Sequence, residues 1–114
     1  TINMDGTSLY QAVAAVFIAQ ALGMDLGAGT QLTIVMTATL ASIGAAAVPG
    51  AGMVMLVIVL AQAGIPEAGL ALIFAIDRPL DMCRTVINIT GDASVSMLVA
   101  KSTGKLAKHS KEKK

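Results

Sequence analysis

Apolar and polar positions fall in long blocks along this chain, and the blocks predict four helical segments separated by turns. The run LYQAVAAVFIAQALGM, from Leu9 to Met24, is rich in alanine and leucine and is a strong helix former. Its length falls short of the roughly 20 residues of a full membrane span. The polar stretch NMDGT lies just before it, which predicts the second half of a broken helix. DLGAG reads as a turn. A second segment runs from Thr30 to about Ile43 and a third from about Met53 to Ala63, with GAAAVPGAG between them. Glycine and proline stop a continuous helix there. Each is too short to cross a bilayer alone, so together they predict a re-entrant hairpin with its tip near mid-depth. Irregular backbone at that depth is tolerated only where it faces protein or water. After AGIPEAG, the fourth segment continues to about Lys105, roughly 60 Å of helix. Pro79 is placed to kink it or to divide an outer part from a spanning part.

The polar positions of the fourth segment are not scattered. Asp77, Asp81, Arg84, Thr85, Asn88 and Asp92 follow one another at intervals of 4, 3, 1, 3 and 4. On a helix they fall within an arc of about 100°. Leu80, Met82, Val86, Ile87 and Ile89 surround them. One charge at the bilayer centre costs on the order of 3 kcal/mol on insertion scales. Several on one helix forbid lipid exposure, so the face is expected to line a wet, protein-walled cavity: a binding site or a transport pathway.

Composition sharpens this picture. Charged residues make up 13% of the chain, about half the share of a soluble domain, and none lies between Asp25 and Glu67. Six of the eight basic residues sit in KSTGKLAKHSKEKK. Lysines beyond a hydrophobic helix follow the positive-inside rule, which puts the C-terminus in the cytoplasm and argues against a nucleic-acid arm. The single cysteine, Cys83, has no partner for an internal disulfide. No nucleophile–base pair and no cluster of soft metal ligands is present in the pattern, so the residues argue against an enzyme. Thr1 opens directly into TINMDGT, and the chain is expected to be the C-terminal piece of a longer polytopic protein.

Three stretches, TINMDGT, ASIGAAAVPGAG and DRPLDMCRTVINITGD, resemble in order and separation three motifs of the dicarboxylate/amino acid:cation symporters, the glutamate transporter family. The resemblance runs from Thr1 to about Lys101. It implies an all-α membrane fold: half of a broken helix, a re-entrant helical hairpin that gates the site from outside, and a long polar-faced transmembrane helix. Residues 1–106 would be the C-terminal part of a transport domain, divided as an unwound motif (1–7), a half-helix (8–24), the hairpin (30–64) and the last helix (66–106). Residues 107–114 would be a cytoplasmic tail. The implied activity is sodium-coupled symport of aspartate or glutamate by alternating access, in the plasma (cell inner) membrane. The implied partners are the substrate, Na⁺, lipid, the N-terminal part of the same protein and two further copies in a homotrimer, with no organic cofactor.

Residue roles follow from the same resemblance. Asp81 matches the aspartate that holds the substrate ammonium, and Arg84 the arginine that holds its side-chain carboxylate. A planar guanidinium suits that task because it binds bidentately and keeps its charge when desolvated. Thr85 and Asn88 match positions near the substrate, and the tip backbone of Ala46, Ala47, Val48, Pro49 and Gly50 would close over it. Asp92, Asn88 and Asn3 match one sodium site. Thr1, Ser42, Ile43 and Ala45 match a second, with the Met4 sulfur nearby, and Asp5 with Asn3 matches part of a third. Hard oxygen ligands of this kind suit Na⁺. Having both Asp81 and Arg84 favours an acidic amino acid over a C4-dicarboxylate, which has no ammonium, and over a neutral amino acid. Those two substrate classes, and an ion-conducting module, are the alternatives. Gln11 stands where animal members that move protons and K⁺ carry Glu, so the resemblance implies Na⁺ coupling without that exchange.

Overall fold

The computed structural model describes residues 3–105. The sodium ligand expected at Thr1 and the tail at 107–114 lie outside the described residues. Among the described residues every element is helical: α1 (Asp5–Ala21), α2 (Ala28–Ile43), α3 (Ala51–Ala63), a 3-10 turn (Glu67–Gly69), α4 (Leu70–Phe74) and α5 (Asp77–Ser102).

Three boundaries differ from the sequence expectation, each for a local reason. The irregular part of TINMDGT ends at Met4, and helix begins at Asp5, inside the expected unwound motif 1–7. Met4 takes the N-cap position, and its carbonyl accepts from the N–H groups of Thr7 and Ser8 at 3.0 and 3.1 Å. Asp5 then sits in the first turn, where a carboxylate complements the helix dipole. The hairpin helices run longer than expected, leaving only Gly44–Gly50 as its tip. The last segment, expected over 66–106 with a kink or division at Pro79, is found in three pieces, with breaks at Gly69 and at Ala75–Ile76. Pro79 explains the second break. It lacks the N–H that would bond the Ala75 carbonyl, and its ring crowds that carbonyl. The helix therefore restarts at Asp77, placing Pro79 in the first turn of α5.

α1 packs against both arms of the hairpin, and the arms pack against each other. The core between them is dry: Ala14, Ala15, Ile18 and Ala19 of α1 meet Ile34 and Ala38 of α2 and Leu56, Val59 and Leu60 of α3. The alanines let helix axes approach closely, which is how helices associate where lipid removes the hydrophobic drive. α1 and α3 end in turns closed by Met24 N–H to Ala19 O and Ile65 N–H to Leu60 O, both 2.9 Å. α5 lies chiefly against α1, and Arg84 is its one buried residue.

The outer surface is apolar. Leu9, Val13, Phe17, Leu32, Leu40, Val54, Phe74 and Leu98 are among many large hydrophobic side chains left exposed. That is far more than a water-facing monomer shows, and it calls for lipid or further protein as its neighbour. Among the described residues no helix is both long and apolar enough to cross a membrane. α1, α2 and α3 have 17, 16 and 13 residues, and α5, with 26, carries the charged stripe.

Candidate functional site

The start of α1, the irregular tip of the hairpin and the regular helix of α5 from Asp81 to Asp92 meet around a cavity of about 350 Å³. α5 contributes Asp81, Arg84, Thr85, Asn88 and Asp92 to its wall, the tip contributes Ala45, Ala46, Ala47, Val48 and Pro49, and the start of α1 contributes Asn3, Met4 and Thr7. The polar arc read from spacing thus faces one space. Asp77 is the exception. Its carboxylate accepts the Tyr10 hydroxyl at 2.9 Å and stands outside the lining.

Arg84 dominates the site. It is 6% exposed and forms an ion pair with Asp81, one turn earlier and 22% exposed. Its guanidinium carbon lies 4.8 Å from the centre of the Tyr10 ring, a cation–π contact. Its Nη1 is buried with no hydrogen-bond partner among the described residues. A buried cationic donor left unpaired is costly, so this nitrogen is a strong demand for an anionic acceptor. Gly52 explains how the arginine fits: a Cβ there would collide with the guanidinium, so only glycine lets the first turn of α3 pass so close.

Asn88 joins the site to the fold. Its Oδ1 accepts the Gly6 backbone N–H at 2.8 Å, one of the donors an α-helix start leaves unmet. Its Nδ2 donates to Thr7 Oγ1 at 3.2 Å. The helices approach backbone to backbone here, since a Cβ on Gly6 would stand 2.7 Å from the Arg84 carbonyl oxygen. Asn3 donates to Asp92 Oδ1 at 3.0 Å, drawing the irregular start of the chain onto α5.

Of the residues expected at a substrate site, Asp81, Arg84, Thr85, Asn88, Ala46, Ala47, Val48 and Pro49 line the cavity, while Gly50 does not. Of those expected to bind sodium, Asn3, Met4, Ala45, Asn88 and Asp92 line it, whereas Asp5, Ser42 and Ile43 stand outside. The Ser42 hydroxyl donates to Thr39 O at 2.8 Å, and its carbonyl accepts from Ala45 N–H at 3.3 Å. Among the described residues the tip carbonyls of Ile43 and Ala45 accept no backbone bond, as a hard cation would require of them. No group of three His, Cys, Asp or Glu residues that could hold a metal ion occurs among the described residues. Any cation there would rest on carbonyl, amide and single-carboxylate oxygens.

The sequence pattern did not single out Thr7, Gly6 or Tyr10. Thr7 lies inside the NMDGT motif, and Gly6 and Tyr10 share a helix face four residues apart, a spacing that could have drawn notice. Gln11 is fully buried, and neither atom of its amide has a partner among the described residues. Cys83 is exposed and borders a separate apolar groove of about 380 Å³ between α1, α4 and α5.

Residues 1–102 match the family model described as the sodium:dicarboxylate symporter family. Excitatory amino acid transporter 3 of Mus musculus is 56% identical over 105 residues, which cover 92% of this chain and 20% of that protein. An excitatory amino acid transporter of Caenorhabditis elegans is 57% identical over 93 residues, covering 82% of this chain and 18% of its own length. Excitatory amino acid transporter 5 of Homo sapiens is 54% identical over 100 residues, covering 88% and 18%. The chain thus spans about a fifth of the length of the curated relatives it matches.

Proposed function

The chain belongs to the sodium:dicarboxylate symporter family, and from that premise we propose that it supplies the substrate and sodium ligands of a sodium-coupled acidic amino acid symporter. The observation that carries this reading is the buried, half-satisfied Arg84 beside Asp81 under the hairpin tip. The pair is neutral as a whole and offers one free cationic donor. An acidic amino acid answers both halves: its side-chain carboxylate takes Nη1, and its ammonium competes for the Asp81 carboxylate through a charge-assisted bond. Asn88 and Thr85 meet the main-chain carboxylate. A C4-dicarboxylate would leave Asp81 facing a second anion.

Na⁺ is cargo here. Asp92 with Asn88 and Asn3 supports one site, the free carbonyls of Ile43 and Ala45 with the Met4 sulfur a second, and Asp5 with Asn3 part of a third. Each ion offsets negative charge near the substrate, which couples the two. Gln11 cannot titrate, so transport runs on sodium without proton exchange at this position. In the whole protein α2 and α3 form a re-entrant hairpin, and α5 crosses the membrane with its charged face turned to the site. Residues 1–106 act as the C-terminal part of the transport domain. A homotrimer in the plasma (cell inner) membrane, with a cytoplasmic C-terminus, completes the assembly.

The test is uptake of labelled aspartate, glutamate, alanine and succinate by the whole transporter, with Na⁺ replaced by choline. Acidic amino acids should be preferred, and uptake should collapse without sodium. Arg84→Cys should lower aspartate uptake about a hundredfold and affect alanine little. Preference for succinate, sodium-independent uptake or equal loss for aspartate and alanine would each overturn the proposal.

A further inference from the structure

The Arg84 guanidinium carbon lies over the Tyr10 ring as well as being paired with Asp81, so whatever holds Tyr10 helps to aim the arginine. Two acceptors hold the Tyr10 hydroxyl, and they belong to different elements. Asp77 Oδ1, at 2.9 Å, lies at the start of α5. Met53 Sδ, at 3.2 Å, lies in the first turn of α3, the outgoing arm of the hairpin. The phenol has a single proton, and the two acceptors share it, the carboxylate as the stronger partner and the thioether as the weaker one. Next to Met53, Gly52 touches the guanidinium itself. The first turn of α3 therefore reaches the arginine twice, directly through Gly52 and indirectly through Met53 and Tyr10.

We propose that Met53 is a positioning residue for substrate recognition: its sulfur pins the Tyr10 ring from the hairpin side and so fixes the guanidinium plane when the tip lies over the site. Bidentate binding of a carboxylate depends on that plane. When the hairpin lifts, Met53 leaves with it, the ring is held by Asp77 alone, and the arginine loses its aim together with its roof. Affinity for the side-chain carboxylate is thereby tied to hairpin closure. The inference rests on the reading of Arg84 as the partner of that carboxylate.

The experiment uses the whole transporter in liposomes, with sodium-driven uptake of labelled aspartate and competition by asparagine, which lacks the side-chain carboxylate. Met53→Leu keeps the volume and removes the acceptor. Tyr10→Phe keeps the ring and removes the donor. Each should raise the aspartate KM about threefold to fivefold with little change in maximal rate. The double variant should be no worse than Tyr10→Phe, since both act on one contact. Met53→Gln, which restores an acceptor of similar reach, should stay within about twofold of the parent. The inhibition constant of asparagine should not move. An unchanged aspartate KM in Met53→Leu, full additivity in the double variant, or a parallel shift for asparagine would overturn the inference. Arg84→Cys separates the two levels. If it spares aspartate uptake, the underlying function is wrong; if it abolishes uptake while Met53→Leu is silent, only the positioning role is wrong.

Discussion

The two sides of α1 are built on opposite terms. Toward the hairpin it presents Ala14, Ala15, Ile18 and Ala19, all at most 4% exposed and surrounded by aliphatic side chains. Toward α5 it presents Gly6, Thr7 and Tyr10, which meet Asn88, Arg84 and Asp77 through a backbone N–H, a hydroxyl and a ring. On the first side shape alone has to match, and a methyl group more or less changes stability without touching chemistry. On the second, each contact also determines where a donor or a charge points. The contrast teaches that a single helix can carry the scaffold on one face and recognition on the other, with Gln11 buried beside them, its amide without a partner among the described residues.

Separating these roles by mutation tests the comparison. The largest effect is expected on the dry side. Leu60 is fully buried, and Leu60→Ala should cost about 2–5 kcal/mol of stability while leaving the aspartate KM of folded transporter unchanged. A thermal unfolding series in lipid, paired with uptake, reads both quantities. A large change in KM would mean that core packing and site geometry are not separate.

Gly52→Ala should show the reverse. The added methyl needs the space now held by the guanidinium, and overpacking of this kind costs about 1–3 kcal/mol. Arg84 has to move, so aspartate binding measured by isothermal titration should weaken about tenfold with only a small drop in melting temperature. Unchanged affinity would show that the arginine has a second position from which it binds equally well.

The smallest effect sharpens the boundary between the sides. Asn88→Ala leaves the Gly6 N–H without its acceptor and also removes a polar wall of the cavity. Both readouts should therefore shift together, by about 1 kcal/mol each. A shift in affinity alone would mean that water replaces the lost helix-end bond.

Much of this arrangement was legible in the order of residues. The 4, 3, 1, 3, 4 spacing on α5 announced a polar face, and five of its six members do line one cavity. The SIGAAAVPGAG stretch announced a helix interruption, and the tip is found there. Pro79 announced a break in the last segment, although the break falls one turn earlier, at Ala75–Ile76, because proline disrupts the carbonyl four residues before it. Less legible were contacts between distant segments. Nothing in local periodicity said that Asp77 would leave the polar row for Tyr10, or that Asn88 would cap a helix start 82 residues away.

By itself, then, the sequence determined the helices, their interruptions, the apolar exterior and the polar row, because periodicity, proline and glycine act on the chain within a turn or two. The tertiary structure alone decided which polar groups meet. It paired Arg84 with Asp81 yet left Nη1 without a partner among the described residues, slid α3 past the guanidinium at Gly52, and set Tyr10 between two helices. Those outcomes depend on how closely helix axes approach and which side chains then compete for one donor, and such distances exist only once α1, α3 and α5 are packed.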